Sequence, residues 1–426
     1  PHPDTSRSVE QSCYPVDATS IVPACIVFPF SLAQFMTTPA LQSSATPYDF
    51  DALRSREYDW MNQGRTIYLN AASTGPFPKS AVEVADKWTR LRAEPQNIPL
   101  TLMQDEAAKA RRQYAALIGA DESEIALMPN TTYGLNLAAR ALPLRPGTIL
   151  TFDGEFPSCV YPFMALSSRG ISLELVPKRD GIPDEDLLVL KIGRGDVVAV
   201  VVSWVQFAHG YVADLERIGN ACRAAGAFFI VDGIQGAGAM PINVHELPID
   251  IFASGAQKWQ LSPWGTGFVY VRRELIETFD PHDVGWACMT ASIDYNRLTD
   301  YEYDFFNDAR KFEVITISYH DFAVSNASTR LLLDAGTNNI QTHINLLVDR
   351  LIGWADSRQD VTLISPRDAA RRAGVFAFAP QDIDGAHAKL KRGSVTCGIR
   401  EGAIRLAPHC YNTVAEIERV VAMLEN

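Results

Sequence analysis

Two ionisable residues lie next to apolar segments of this sequence, where a charge is costly. Lys258 follows a small-residue turn in "ASGAQKWQLSPWGTGFVYV" (253–271) and precedes a run that is typical of a buried strand. Asp232 ends the apolar stretch "FFIVD" (228–232). A carboxylate there needs a cation or a strong donor, and a poorly solvated lysine has a lowered pKa and a reactive amine. Alternatively, each is a solvated turn residue, or the two pair with each other.

A third feature is a polar turn between a strand-like segment and a helical one, "PNTTYGLNLAAR". Thr131 and Thr132 open the helix, where free backbone amides, hydroxyls and the positive helix end form an anion site. Simple capping by Asn130 or Thr131 is the alternative. The sequence contains neither GxGxxG nor GxxxxGK[ST], so the motifs for dinucleotides and for P-loop phosphates are absent.

Two further residues complete a set that one cofactor explains. Phe156 lies in a turn after a strand in "DGEFPSCVYPF", where it either packs in the loop or provides a flat surface for a ring. Arg405 lies inside the apolar "AIRLAPHCYNT", and a buried arginine requires a carboxylate, from the protein or from a substrate. Pyridoxal 5′-phosphate needs an amine, a carboxylate for its ring nitrogen, an anion cradle and an aromatic neighbour. The sequence therefore predicts this cofactor, bound at Lys258.

The elements that must position these residues follow an alternating order. From about residue 80, helical and strand-like segments alternate, which predicts an α/β fold with a mostly parallel sheet flanked by helices. The short strands are uninterrupted apolar runs, as expected for strands buried on both faces. We predict strands at 124–129, 148–152, 171–176, 196–204, 228–232, 249–255 and 265–271, and helices at 105–120, 130–142 and 214–227.

The regular alternation of helical and strand-like segments ends after about residue 285. Residues 294–313 are polar-aromatic and irregular, helical stretches follow at 321–336 and 340–356, and a smaller α+β unit closes the chain. We predict an N-terminal extension, a segment packing on both domains, a large PLP-binding domain and a small C-terminal α+β domain, with bounds 1–47, 48–84, 85–290 and 291–426.

Composition excludes several other classes. The 426 residues carry a formal net charge of -12, which argues against a nucleic-acid or anionic-membrane surface. The seven cysteines include no CxxC pair, and the histidines lack metal-ligand spacing, so we expect reduced thiols, no metal site and a cytoplasmic location. The apolar stretch 21–33 leaves export possible, although it contains two prolines and follows a single basic residue. Met36 is a plausible natural start.

Seven short motifs occur in an order that resembles the class V aminotransferase family, across about residues 65–424. They are "YLNAASTGPFP", "NTTYGLNLA", "GEFPS", "VDGIQ", "SGAQKWQLSPWGTGFVYV", "ARKFE" and "IRLAPHCYNT". The family comprises fold-type I PLP enzymes, among them cysteine desulfurases, kynureninases and isopenicillin N epimerase-like proteins. The resemblance implies this fold and this cofactor.

The resemblance also implies roles for the residues around the cofactor ring. Lys258 matches the lysine that forms the Schiff base with the cofactor, and Asp232 matches the carboxylate on the pyridine nitrogen. Gln235 matches the donor to the ring's phenolic oxygen. Arg405 matches the arginine that binds the substrate α-carboxylate. Phe156 falls where kynureninase-like members stack a phenylalanine and desulfurases a histidine.

Further roles implied by the resemblance concern the phosphate and the partner subunit. Thr132, together with Thr131, matches the phosphate-binding turn, and Gln257 replaces a phosphate-contacting histidine of many relatives. Family dimers share their sites through a Gly-Thr pair after "ARKFE". Here Thr316 is kept and Ile315 replaces the glycine, which puts that backbone approach in doubt. A homodimer is implied.

The reaction is less determined than the cofactor. Aminotransferase action on a small amino acid or amine is the first prediction, with an isopenicillin N epimerase-like or kynureninase-like epimerase or lyase next. Desulfurases carry a nucleophilic cysteine upstream of the carboxylate-binding arginine. Cys397 lies eight residues before Arg405 (405 − 397), inside an expected strand, so we interpret it as core. Cys410, beside His409, is interpreted as structural. A non-catalytic scaffold of the same fold is the alternative outside the enzymes.

Overall fold

The computed structural model describes residues 48–279, 281–314 and 316–425. The extension expected over 1–47 therefore lies outside the described residues. The strands, numbered in chain order, are β1 Ile67–Tyr68, β2 Ile125–Leu127, β3 Gly147–Phe152, β4 Ile171–Val176, β5 Lys178–Arg179, β6 Ile182–Pro183, β7 Val197–Ser203, β8 Phe228–Asp232, β9 Ile251–Gly255, β10 Gly267–Val271, β11 Val361–Leu363, β12 Phe376–Pro380, β13 Val395–Thr396, β14 Gly398–Arg400 and β15 Ala403–Leu406.

The central sheet has seven strands in the order β2-β10-β9-β8-β7-β3-β4. The strands from β9 to β4 pair in parallel, and β10 runs antiparallel to both of its neighbours. The predicted mostly parallel sheet is therefore correct. Every residue of β7, "VVAVVVS", is buried, because helices cover both faces of the sheet and leave no solvent-facing side for polar residues.

The α-helices flank this sheet or follow it in the chain. They are α1 Phe50–Glu57, α2 Lys79–Ala93, α3 Leu100–Ile118, α4 Thr131–Ala141, α5 Tyr161–Met164, α6 Glu185–Ile192, α7 Leu215–Ala225, α8 Arg273–Thr278, α9 Tyr319–Ala335, α10 Thr337–Asp356, α11 Ile383–Arg392 and α12 Val414–Glu425. In the described part of the chain, no helix has the length and the apolar character needed to cross a bilayer.

Local sequence signals explain where these helices begin and end. In α7 the side chain of Asp214 accepts a hydrogen bond from the main-chain nitrogen of Arg217, and Gly226 ends the helix in the left-handed conformation. The buried face of α7 includes Ile218 and Cys222, which are four residues apart as helical periodicity requires. Helix α3 begins five residues before the predicted start, because Pro99 takes the extended N-cap position.

A second sheet lies near the C-terminus. Its four strands have the order β11-β12-β15-β14 and pair antiparallel throughout, with α11 and α12 in the same part of the chain. The irregular stretch expected at 294–313 contains one short 3₁₀ helix, Ala309–Phe312, and an isolated β-bridge between Phe305 and Met289. The division into a large domain at 85–290 and a small one at 291–426 stays a prediction.

The carboxyl ends of the parallel strands place the polar residues together. Asp232 pairs with Ser203 on one side and with Ala253 on the other, so the ends of β7, β8 and β9 are in register. Lys258 follows β9 by three residues. This edge is where open α/β sheets bind ligands, since loops with free backbone groups converge there.

Candidate active site

Lys258 is partly buried on the loop after β9. Its Nζ lies 5.6 Å from the ring centroid of Phe156. Among residues 48–279, 281–314 and 316–425, no hydrogen bond or ion pair holds this nitrogen. Burial lowers the pKa of Lys258 to about 8, opposed by the charge of Asp232 and assisted by Arg405 and Arg400. A neutral, unpaired amine is a good nucleophile for an aldehyde.

Asp232 is 2% exposed at the end of β8. Its Oδ1 accepts a hydrogen bond of 3.0 Å from the nitrogen of Ile234, and its Oδ2 faces Cys159 Sγ at 3.8 Å. Burial raises the pKa of this carboxyl, while the Ile234 nitrogen and the charge of Lys258 oppose the rise. One backbone donor and a thiol satisfy a buried carboxylate poorly, so the site is suited to a cationic partner at Oδ2.

Glu155 is a buried carboxylate of this region that the sequence analysis missed. It accepts hydrogen bonds from the Ser203 nitrogen (2.9 Å), the Ser203 hydroxyl (2.5 Å) and Gln206 Nε2 (2.7 Å). Burial raises the pKa of Glu155 to about 7, against the donors of Ser203 and Gln206 and with help from the charge of Asp232. Its position shortly after an apolar strand, similar to that of Asp232, is the sequence signal that indicates such a carboxylate.

The start of α4 is the segment predicted to form an anion cradle. Asn130 Oδ1 accepts from the nitrogen of Tyr133 at 2.9 Å, so both the capping and the anion interpretations of this turn retain support. Thr131 Oγ1 accepts from the nitrogen of Gly255 at 2.8 Å, which ties α4 to the end of β9. Thr132 Oγ1 lies 2.8 Å from Ser158 Oγ, a hydroxyl that the sequence analysis did not select.

Gln257 lies beside this cradle. Its buried Oε1 has no hydrogen-bond partner in the described part of the chain. A Cβ atom added at Gly255 would lie 2.5 Å from Gln257 Oε1 and 3.3 Å from Thr131 Oγ1, so a side chain there would displace the Gln257 amide. Gln257 Oε1 accepts hydrogen bonds, so an anion held by the helix amides would be contacted by the Nε2 group of Gln257 instead.

Gln235 is held rigidly next to Asp232. Its Nε2 donates to the carbonyl of Ala72 at 3.1 Å, and its Oε1 accepts from Trp259 Nε1 at 2.7 Å. Both bonds are buried, so the amide orientation is fixed before any ligand arrives. One N–H of Nε2 is left for a ligand.

Arg405 is 2% exposed on β15. Its Nη1 donates to the carbonyl of Phe207 and its Nη2 to Ser73 Oγ, both at 2.7 Å, while Nε has no partner within the described ranges. Burial lowers the pKa of Arg405 to about 10, and the charge of Arg400 adds to this effect. A buried guanidinium without a carboxylate from the described residues is suited to a carboxylate ligand.

The family model for "Aminotransferase class-V" matches residues 67–420. The chain belongs to the class V aminotransferase family. This confirms the family, the fold-type I α/β architecture, the assignment as a PLP-dependent enzyme and pyridoxal 5′-phosphate as the cofactor.

Relatives in this family have several different activities. An uncharacterized aminotransferase of Bacillus subtilis is 27% identical over 73% of this chain and 81% of that protein. Isopenicillin N epimerase of Streptomyces clavuligerus is 26% identical over 84% of this chain and 94% of its own length. The apo structure of a cysteine desulfurase from Thermococcus onnurineus NA1 superposes with a TM-score of 0.78 at 25% identity, covering 90% of this chain and 98% of that one.

The residues of this class V enzyme fit the cofactor. Lys258 Nζ is free of hydrogen bonds to the described residues, and among these residues the hydrogen-bond partner of Asp232 Oδ2 is the Cys159 thiol. Phe156 faces Lys258 at a distance compatible with an aromatic wall. An amine, a carboxylate, a flat ring and an anion cradle are the groups that this cofactor requires. The roles assigned to individual residues remain predictions.

Thr316 lies apart from the residues gathered around Lys258. It is exposed and lines a groove of about 340 Å³ together with Arg111, Trp286 and Tyr295. Within a single chain, the structure does not bring Thr316 to Lys258. Its predicted contact was with the phosphate of a partner subunit.

The two candidate cysteines occupy packed positions. Cys397 is partly buried between β13 and β14 and packs against the main core, and burial raises its pKa to about 11. Cys410 is buried, and its nitrogen donates to His409 Nδ1. Neither thiol is in the ionised, accessible form that a nucleophilic cysteine needs.

Proposed function

We propose that this protein is a PLP-dependent aminotransferase that acts on a small amino acid or amine. The observation that carries the proposal is the unpaired amine of Lys258, which lies between the ring of Phe156 and the buried end of β8. Burial without an ion pair is costly for lysine, and cofactor attachment removes that cost.

The bound cofactor supplies an aldehyde that exchanges amines and a ring that withdraws electrons from the adjacent carbon. Asp232 would hold the ring nitrogen, the N-terminus of α4 with Thr132 and Gln257 would hold the phosphate, and Gln235 would donate to the ring oxygen. Phe156 would cover one face of the ring.

Three residues of the chain act on the substrate in this proposal. Arg405 binds the α-carboxylate through a guanidinium that has no carboxylate partner among the described residues. Lys258, whose pKa burial lowers to about 8, takes the proton from Cα and would deliver it to the bound cofactor, as transamination requires. Asp232 keeps a negative charge facing the ring, which favours the protonated nitrogen throughout.

Epimerase or lyase activity is the second candidate function, because isopenicillin N epimerase matches this chain across 94% of its own length. The same lysine would move the same proton, and the products differ in where it returns. Desulfurase action has less support, since burial holds the Cys397 thiol in its protonated form.

An amino-acid panel tests this proposal. The holoenzyme is mixed with each amino acid while cofactor absorbance, keto acid, ammonia, sulfide and substrate chirality are followed. We expect keto-acid formation with an accompanying absorbance change. Inverted chirality without keto acid would favour epimerisation, and sulfide release from cysteine would favour desulfuration. A protein whose absorbance no amino acid changes would contradict the proposal.

We also propose that the enzyme acts as a homodimer. Trp286, Ile293, Tyr301 and Tyr303 expose large apolar surfaces along one segment, and Thr316 lines the adjoining groove. Exposed apolar patches of this kind mark protein interfaces. Light scattering on the purified protein should give twice the chain mass, and a monomer at micromolar concentration would argue against the proposal. The cytoplasmic location stays a prediction.

A further inference from the structure

A tight hairpin places a second arginine beside Arg405. Strands β14 and β15 pair antiparallel, with Gly398 opposite Arg405 and Arg400 opposite Ala403. The two connecting residues, Glu401 and Gly402, have φ values of 48° and 76°, which is the geometry of a two-residue hairpin turn. This turn fixes the register of the pair.

The hairpin places the side chains of Arg400 and Arg405 on the same face of the β14–β15 pair. Residues directly opposite each other in an antiparallel pair share a face, and side chains alternate along a strand. Arg405 therefore shares a face with Gly398, and so does Arg400, two residues further along. Gly398 has no side chain to fill the space between them. A Cβ there would lie 3.6 Å from Arg400 Nη1 and 3.7 Å from Asn70 Oδ1, a buried oxygen without a partner in the described chain.

Ser73 connects the two arginines. Its Oγ accepts from Arg405 Nη2 at 2.7 Å and from Arg400 Nη2 at 3.4 Å. One hydroxyl oxygen therefore stands between two positive groups. The remaining bond of Arg400 runs from Nη1 to the carbonyl of its own neighbour, Ile399, at 2.7 Å.

No carboxylate among the described residues neutralises the guanidinium charges of Arg400 and Arg405. In the described residues neither Arg400 nor Arg405 forms an ion pair, and Arg400 is exposed. The charges of both arginines add to the lowering of the Lys258 pKa that burial begins. Two uncompensated cations at one site favour a ligand with two negative groups.

We propose that Arg400 binds an anionic group on the side chain of the substrate, so that the enzyme selects amino acids with acidic side chains. This inference rests on the proposed function, in which Arg405 binds the α-carboxylate. The second anion is a carboxylate, which a planar guanidinium can bind through two hydrogen bonds.

Paired titrations of the holoenzyme test the inference. L-Aspartate is compared with L-asparagine, and L-glutamate with L-glutamine, because each amide matches its acid in shape and lacks the charge. The dissociation constants come from the change in cofactor absorbance, independently of turnover. We expect at least one acid to bind about tenfold or more tightly than its amide, as charge-assisted hydrogen bonds provide.

The variant Arg400→Gln should weaken binding of the preferred acid about tenfold and change binding of the amide less than about twofold. Arg392→Gln removes the same charge from an exposed arginine at the end of α11 and should leave both constants unchanged. Cofactor content and melting temperature verify that each variant is folded.

The outcomes separate this inference from the proposed function. Equal binding of acids and amides by the wild type overturns the inference alone, as does a variant that weakens both ligands equally. The second result would fit an Arg400 that packs against the partner subunit. A holoenzyme whose absorbance responds to no amino acid overturns the proposed function together with the inference.

Discussion

The nitrogen and the hydroxyl of Ser203 both donate to the carboxylate of Glu155, at the position where Ser203 pairs with Asp232 across the sheet. The two buried carboxyls therefore belong to neighbouring strand ends, and the charge of Asp232 raises the pKa of Glu155. A cation bound at Asp232 would offset that repulsion. Glu155 thus positions the end of β7 and is electrostatically connected to the cofactor site.

The substitution Glu155→Gln should make stability less dependent on pH. Burial raises the folded-state pKa of Glu155 from its ordinary value of 4.5 to about 7. A raised carboxyl pKa means that the folded state holds the proton more tightly, so its contribution is present below the unfolded pKa and is lost as pH rises to about 7. A shift of this size corresponds to roughly 3 kcal/mol in the free energy of unfolding.

Glutamine can replace the protonated acid in this network. Its Oε1 can accept from the Ser203 nitrogen and from Gln206, and its Nε2 can donate to the Ser203 hydroxyl. Chemical denaturation of the cofactor-free protein should show similar stability of both proteins near pH 5 and a more stable variant at pH 8. An unchanged difference across this range would mean that Glu155 is ionised in the folded protein.

Cofactor uptake should depend on the protonation of Lys258. Burial lowers the pKa of Lys258 to about 8, so the rate at which the apoprotein incorporates cofactor should rise with pH and level off above about 8. Arg405→Gln removes a cation and should move the midpoint to higher pH. Asp232→Asn removes an anion and should move it to lower pH.

Stopped-flow absorbance measures these uptake rates, and Lys258→Ala provides the control, because it should yield no cofactor trapped by borohydride. Midpoints that coincide in the wild type and both charge variants would show that neither neighbour acts on the amine.

The positions of the strands could be predicted from the sequence because they depend on residues that are neighbours in the chain. The strands at 171–176 and 228–232 match the prediction in both ends, since each is bounded by residues that interrupt its pattern. The second is buried from Phe229 to Asp232 as expected, whereas the first lies at the edge of the sheet and exposes Ser172 and Leu175. The family membership, the fold class and the cofactor were also predicted correctly, because the seven motifs occur in order along one chain.

The features that the sequence did not reveal depend on contacts between distant segments. Glu155 contacts Ser203, 48 positions further along the chain, only because β3 and β7 lie side by side in the sheet. In the sequence Arg400 is typical of a charged residue in a hairpin turn. Its position on the same face as Arg405 follows only from the register of β14 with β15. The link from Thr131 to Gly255 joins residues 124 positions apart. Contacts between residues so far apart in the sequence cannot be predicted from the type and neighbours of one residue.

Asp232→Asn should retain cofactor and lose turnover. Asparagine can still accept from the nitrogen of Ile234 through its oxygen, so the local fold is kept. It lacks the negative charge that holds a ring nitrogen in its protonated form, and we expect kcat to fall by about 10²-fold or more. Cofactor content by absorbance and kcat by keto-acid release separate the two effects. Equal kcat values would overturn the role assigned to Asp232.

Trp259→Phe should weaken both the fold and the cofactor site. The indole Nε1 donates to Gln235 Oε1 at 2.7 Å, and the ring packs against His409 at a centroid distance of 5.5 Å. Phenylalanine removes the donor and leaves a gap at a fully buried position, so we expect a loss of about 2–4 kcal/mol in the free energy of unfolding. Gln235 also loses the contact that fixes its amide, and cofactor should bind several-fold more weakly.

Trp264→Phe is the matched control, because Trp264 is 70% exposed and the same ring change there should alter stability by less than about 0.5 kcal/mol. Urea denaturation and cofactor titration on both variants give the comparison. If Trp259→Phe weakened the fold but left the cofactor dissociation constant unchanged, the orientation of Gln235 would not depend on the indole donor. If it behaved like the control in both measurements, the buried hydrogen bond would contribute nothing to either.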